Sequence, residues 1–177
     1  MSLSRRTPTG SCRRSSASCE GGCGVDNSAV LESVVRAAQD VIPALTSEPV
    51  AGVEVVDAGP GPLDVSVVVG FAGALRGLVM LQMSEETALV LSGKMLGQDC
   101  RELGPMEQSC LSELGNMVVG SASGILEADG YGLKLAVPAV VLGRQHRLVA
   151  STSQEGQAAR LAWCSNEIWL RVVAEEA

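Results

Sequence analysis

The sequence predicts a mixed α/β (α+β) protein, and three observations lead there. Two long stretches, one after residue 27 and one from about residue 105 to residue 128, repeat apolar residues at intervals of three and four, which is one face of a helix. Between and after them lie short runs of β-branched and aliphatic residues bounded by Gly and Pro, the pattern of strands joined by turns. Hydrophobic residues make up 46% of the 177, so a single domain has enough material for a real core.

The elements follow in order. Residues 1–26 are rich in Ser, Arg, Gly and Cys and hold almost nothing to bury, which predicts a disordered tail. The domain is expected over 27–177. Its first helix starts at Asn27 or Ser28, either of which can cap it. Val30, Leu31, Val34, Val35, Ala38, Val41, Ile42 and Leu45 form the apolar stripe, and Pro43 is expected to end or kink it. Three strands are expected next: Val53–Asp57, then Asp64–Phe71 after the Gly59-Pro60-Gly61-Pro62 turn, then Leu78–Met83. Gly70, Gly73 and Gly77 lie between two strands, so turn geometry and not a phosphate loop is their expected role. Ser84 caps a second helix, with Glu85 and Glu86 beside its positive end and Gly97 placed as the left-handed C-terminal residue.

Gly104-Pro105 opens the third helix, with Pro at the first helical position. The helix runs to Glu127 or Ala128 and stops at Asp129-Gly130. Cys110, Leu111, Leu114, Met117, Val118, Ser121, Ala122 and Ile125 recur on one face, and Ser109, Ser112, Glu113 and Asn116 on the other. Gly115, Gly120 and Gly124 lie inside it. Each costs about 1 kcal/mol relative to Ala, so three together predict close approach of a neighbour or a partner. The rest reads as strands: Leu133–Val137, Ala139–Leu142, Arg147–Ser151, and a hairpin of Ala159–Cys164 and Ile168–Val173 turning over Ser165-Asn166-Glu167. Trp163 and Trp169 fall in that hairpin as anchors of the core or of a subunit contact.

Composition excludes several function classes. Aromatic residues are 2% of the chain, too few for stacking nucleobases, and a net charge of −7 disfavours phosphate backbones. The charge is uneven. Residues 1–26 carry four Arg against Glu20 and Asp26, a net of +2, which leaves −9 for the domain. No apolar run approaches a membrane span and no apolar signal segment is visible, so a cytoplasmic location with reduced thiols is expected. Cys12, Cys19 and Cys23 lack zinc-ligand spacing and have no neighbouring His, which makes incidental thiols the better reading than a metal or redox sensor. His146, the only His, sits among Arg144, Gln145 and Arg147 with no nucleophile motif around it. Cys110 and Cys164 are expected as small core residues.

Glu113 and Asn116 remain. Three residues apart on a helix, their side chains emerge side by side, a carboxylate next to a carboxamide. A solvated helix face is the ordinary reading of such a pair. Its setting argues for more, because an apolar face runs alongside and glycines clear the surface.

Ser109-x-x-x-Glu113-x-x-Asn116, followed after 21 residues by Pro138, resembles the signature of chemotaxis phosphatases of the CheX/CheC/FliY type. Gly70-Phe71-Ala72-Gly73 with Gly77, Met83 to Ala88, and Met95-Leu96-Gly97 resemble the segments that lead into that signature, so the resemblance covers about residues 27–173. The single motif copy and the chain length are closer to CheX than to CheC, which is similar but usually carries two sites. The resemblance implies two long helices packed on a mainly antiparallel sheet, a CheC-like fold, with Asn116 orienting the water that attacks the aspartyl phosphate of a CheY-like response regulator and Glu113 docking to a partner Lys. Ser109, Ser112 and Gly120 are the expected partner-contact residues, with Ser109 standing where family members carry Asp or Ser. Pro138 is taken as structural. The resemblance implies no cofactor of the chain's own, Mg²⁺ in the regulator's site, and a homodimer. The competing reading is a non-catalytic module on the same fold that binds a response regulator or flagellar switch component.

Overall fold

The computed structural model describes residues 27–57, 59–148 and 158–176. The expected tail over 1–26, with Cys12, Cys19 and Cys23, lies outside the described residues. Three helices, α1 (Asn27–Thr46), α2 (Glu85–Leu96) and α3 (Pro105–Ala128), pack on one face of a seven-stranded sheet. The strands are β1 (Val50–Val56), β2 (Leu63–Gly73), β3 (Leu75–Met83), β4 (Leu133–Leu135), β5 (Ala139–His146), β6 (Ala158–Trp163) and β7 (Asn166–Glu176). They are ordered β1-β6-β7-β3-β2-β4, with β5 also on β2, and every pairing among the described residues is antiparallel. The mixed α+β fold with two long helices, α1 and α3, is the one the sequence predicts.

Strand alternation builds the core. Val65, Val67, Val69 and Phe71 of β2, Val79, Leu81 and Met83 of β3, and Ile168, Leu170 and Val172 of β7 are buried and alternate with residues of the opposite face. Helices α1 and α3 cover that face. Helix α3 packs over β2, β4 and β5, and α1 packs over β7, β6 and β1. Leu31, Val34, Ala38 and Ile42 from α1 meet Leu111, Leu114, Val118 and Ala122 from α3 in a single core.

The opposite face carries a polar row. Glu54, Arg160, Trp169, Gln82 and Ser66 are successive cross-strand partners from β1 to β2. His146 of β5 joins the row, because its Nε2 lies 2.8 Å from Ser66 Oγ. Gly143 O accepts from His146 Nδ1 at 3.0 Å, so in the neutral ring Nε2 accepts from Ser66, which in turn accepts from Gln82 Nε2 at 3.2 Å. Over this face, Gly59 of the β1–β2 turn lies against Arg171, whose guanidinium reaches Leu148 O at 3.5 Å.

Several elements differ from the expectation. Helix α1 continues through Pro43 to Thr46, because Ile42 and Thr46 on either side of it are buried and Thr46 Oγ1 donates to Ile42 O at 2.7 Å. Strand β1 starts at Val50 and β3 at Leu75. The β2–β3 turn is at Gly73 and Ala74, and only Gly73 of the three expected turn glycines has a positive φ, 153°. Gly77 instead lies in β3, where a Cβ would come within 2.0 Å of Val173 O. The β6–β7 turn is Cys164-Ser165, one residue earlier than expected, with φ of 47° and 60° in a two-residue hairpin. Strand β5 extends to His146. Arg147 and Leu148 are not in a strand, and the remainder of the expected strand over 147–151 lies outside the described residues.

The second helix is as expected. Ser84 Oγ accepts from Thr87 N at 3.1 Å, and Gly97 closes the helix at φ 67°. Asp64 ties its start to β5, accepting from Glu85 N at 3.3 Å and from Gln145 N at 3.0 Å.

Candidate functional site

Helix α3 has 24 residues, about 36 Å of continuous helix. Gly104 stands at its N-cap, Pro105 at its first position, and Glu107 supplies first-turn negative charge. Gln108 Nε2 donates to Leu103 O at 2.7 Å and holds the incoming loop. Leu111, Leu114, Gly115, Val118, Val119, Ala122 and Leu126 form the buried face. The expected apolar set is therefore partly corrected. Cys110, Met117 and Ile125 are half-buried flank positions, and Ser121 is exposed because its azimuth lies beyond the contact with the sheet.

The three glycines divide in two. A Cβ on Gly115 would come within 2.6 Å of Val67 Cγ1 and 3.4 Å of Val69 Cγ2, so its close approach is to β2 of the same chain. Gly120 and Gly124 have nothing within 4 Å of a built Cβ and lie on the outer surface.

The outer surface carries the expected pair. Glu113 and Asn116 are both exposed, one helical turn apart, with Ser109 and Gly120 exposed on the same side. Ser112 is half-buried on the flank, so the structure brings it less fully to this surface than the others. Among the described residues neither Glu113 nor Asn116 has a hydrogen-bond or ion-pair partner. Both are held by the helix beneath them, whose seat on β2 at Gly115 lies between them in sequence. A carboxylate can accept from a cation, and a carboxamide can donate and accept at once, so the pair can grip a lysine and orient a water on an approaching surface. It forms no concavity. A surface groove lies elsewhere, along α2 and the following turn, lined by Glu86, Val90, Lys94, Gln98 and Cys100 among others.

Other reactive groups are placed differently. The Ser66–His146 contact went unseen in the sequence because 80 residues separate the two. Ser66 is fully buried, and a nucleophile without access to solvent has no substrate. Cys110 and Cys164 are half-buried, and burial pushes both thiols up from their ordinary value. Among the described residues no group of three or more His, Cys, Asp or Glu side chains is placed to hold a metal ion, and no helix is long and apolar enough to cross a membrane.

A family model described as chemotaxis phosphatase CheX matches residues 65–159, over half the chain, and that span contains all of Ser109, Ser112, Glu113, Asn116 and Gly120. The CheY-P phosphatase CheX of Thermotoga maritima is 34% identical over 88 residues, which are 49% of this chain and 57% of the relative. The chain thus spans little more than half the length of that curated relative. Chemotaxis protein CheX from Desulfovibrio desulfuricans has a similar structure, with a TM-score of 0.74 at 22% identity over 82% of this chain and 99% of that one. CheX in the CheX-CheY-BeF3-Mg+2 complex from Borrelia burgdorferi gives a TM-score of 0.71 at 23% identity, covering 83% of this chain and 98% of that one. At such identities the likeness carries the fold.

Proposed function

Because the chain belongs to the CheX family of chemotaxis phosphatases, we propose that it hydrolyses the aspartyl phosphate of a CheY-like response regulator. The observation that carries this reading is the exposed Glu113–Asn116 pair on a convex helix seated rigidly on the sheet. A substrate that is itself a folded protein brings its own active-site cleft, so the phosphatase needs an insert and not a pocket. The T. maritima relative is named for acting on CheY-P, and the B. burgdorferi structure holds a CheX with CheY, BeF3 and Mg²⁺.

In this reading α3 enters the regulator's phosphorylated site. Asn116 accepts one hydrogen of the attacking water and donates to an oxygen nearby, which aligns the water behind phosphorus. The phosphorus–oxygen bond to the aspartate breaks as the bond to water forms. Inorganic phosphate leaves and the aspartate is regenerated as a carboxylate. Glu113 is anionic and would repel the phosphate unless a cation stood between them, so it pairs with a lysine of the regulator and fixes the register of the helix. The Mg²⁺ that neutralises charge on the phosphoryl group belongs to the regulator's acidic site.

The test is the lifetime of phosphorylated receiver domains encoded in the same genome, with and without this protein. Acceleration by the wild type that is abolished in Asn116→Ala, with an unchanged thermal melt, is the expected result. An active Asn116→Ala protein overturns the mechanism. Binding with no change in lifetime returns the protein to the role of a non-catalytic module.

A further inference from the structure

Met106, in the first turn of α3, is 59% exposed. Single exposed apolar residues are common and need no explanation by themselves. This one is distinguished by its place. Met106, Glu113, Gly120 and Glu127 are spaced by seven residues, and all four are exposed. Seven residues bring a helix round to within about 20° of the same azimuth. The four therefore form one line along the outer surface of α3, with Asn116 beside it. Along that line the steps are about 10 Å.

The line is uneven in height and chemistry. Gly120 has open space where a side chain would be, so a partner's backbone can come close on the C-terminal side of Glu113. On the N-terminal side, two turns from Glu113, stands an unbranched thioether side chain, a shape that adapts to an irregular apolar surface. A partner lying along α3 meets an apolar projection, then a carboxylate, then a bare stretch of helix.

We propose that Met106 is an apolar docking residue for the regulator, seated in an apolar depression on the regulator about 10 Å from the lysine that pairs with Glu113. The proposal rests on the phosphatase reading above. Met106 lies about 15 Å along the helix from Asn116, too far to touch the phosphoryl group. It therefore sets affinity and the direction in which the regulator lies on α3, and it takes no part in the chemistry.

The experiment compares wild type, Met106→Ala, Met106→Leu and Asn116→Ala in steady-state dephosphorylation of the cognate receiver domain. Met106→Ala is expected to raise KM about tenfold, as truncation of a central apolar anchor does, with kcat within about twofold. Met106→Leu keeps the apolar volume and restores KM. Asn116→Ala loses kcat instead. Thermal melts of the two Met106 variants match the wild type, because the side chain touches solvent and not the core. An active wild type whose KM is unchanged by Met106→Ala overturns the docking role and leaves the phosphatase reading standing. If the wild type is inactive, binding to receiver domains loaded with Mg²⁺ and beryllium fluoride decides the question. Weaker binding by Met106→Ala supports the docking role, and equal binding, or no binding by the wild type, overturns it.

Discussion

Gly115 and Gly120 answer alanine in opposite ways although both lie inside the same helix. Gly115→Ala drives a methyl into Val67, and the overpacking is expected to destabilise the fold by about 1–3 kcal/mol, less the helix-propensity gain. Gly120→Ala meets nothing and is expected to stabilise by up to about 1 kcal/mol. Urea midpoints of the two variants check both signs. The sequence shows three helical glycines as equals, because the period of a helix says which residues share a face but not what lies opposite a bare one. Glu113 and Asn116 were legible because their spacing alone makes them neighbours. Asp64 was not. Two backbone N–H donors, of Gln145 and Glu85, hold its carboxyl below the usual carboxylate range. A depressed pKa stabilises the fold above the unfolded-state value of about 3.9, and that contribution is lost as pH falls through the folded value. Asp64→Asn is accordingly expected to lower Tm slightly at neutral pH, with the difference from wild type closing as pH falls below about 4. Melts across a pH series read it directly.

At the level of the element, existence and type of the helices were legible and their ends were less so. Helix α1 outlasts Pro43 because burial of Ile42 and Thr46 outweighs one lost backbone bond. The β6–β7 turn was misread by one residue because Cys164 and Ser165 both adopt positive φ without the Asn or Gly that usually announces it. That hairpin supplies Trp163, which is fully buried and donates its indole N–H to Glu48 O at 3.3 Å. Trp163→Ala is expected to remove about 3–5 kcal/mol, a large fraction of the about 5–15 kcal/mol that holds an ordinary domain folded. Equilibrium denaturation measures the loss. Arg160 joins Glu54 and Glu167 on the other side of the same hairpin, but these exposed pairs contribute little.

Across the whole molecule, the layers were legible and the strand order was not. Hairpins such as β2–β3 follow from local turns. The placement of β7 between β6 and β3, and of β5 on β2, rests on pairings between distant parts of the chain that periodicity does not encode. Net charge has its own consequence. A protein of net charge −7 offers little general attraction to an anionic partner, so in the proposed reading Glu113 acts locally, through a matched cation. Glu113→Gln is expected to raise KM for the phosphorylated regulator, and the gap from wild type is expected to narrow as ionic strength rises from about 0.01 M to about 0.15 M. The seat of α3 on β2 reaches beyond stability. Gly115 is lodged against two valines of a strand inside the sheet, so the middle of the helix has no way to open without the sheet. Amide hydrogens around Gly115–Val118 are expected to exchange with solvent only at the rate set by global unfolding, while the first and last turns exchange by fraying. The chemical pair would then stand on a part of the protein that does not move during turnover, and any rate-limiting motion would belong to the partner.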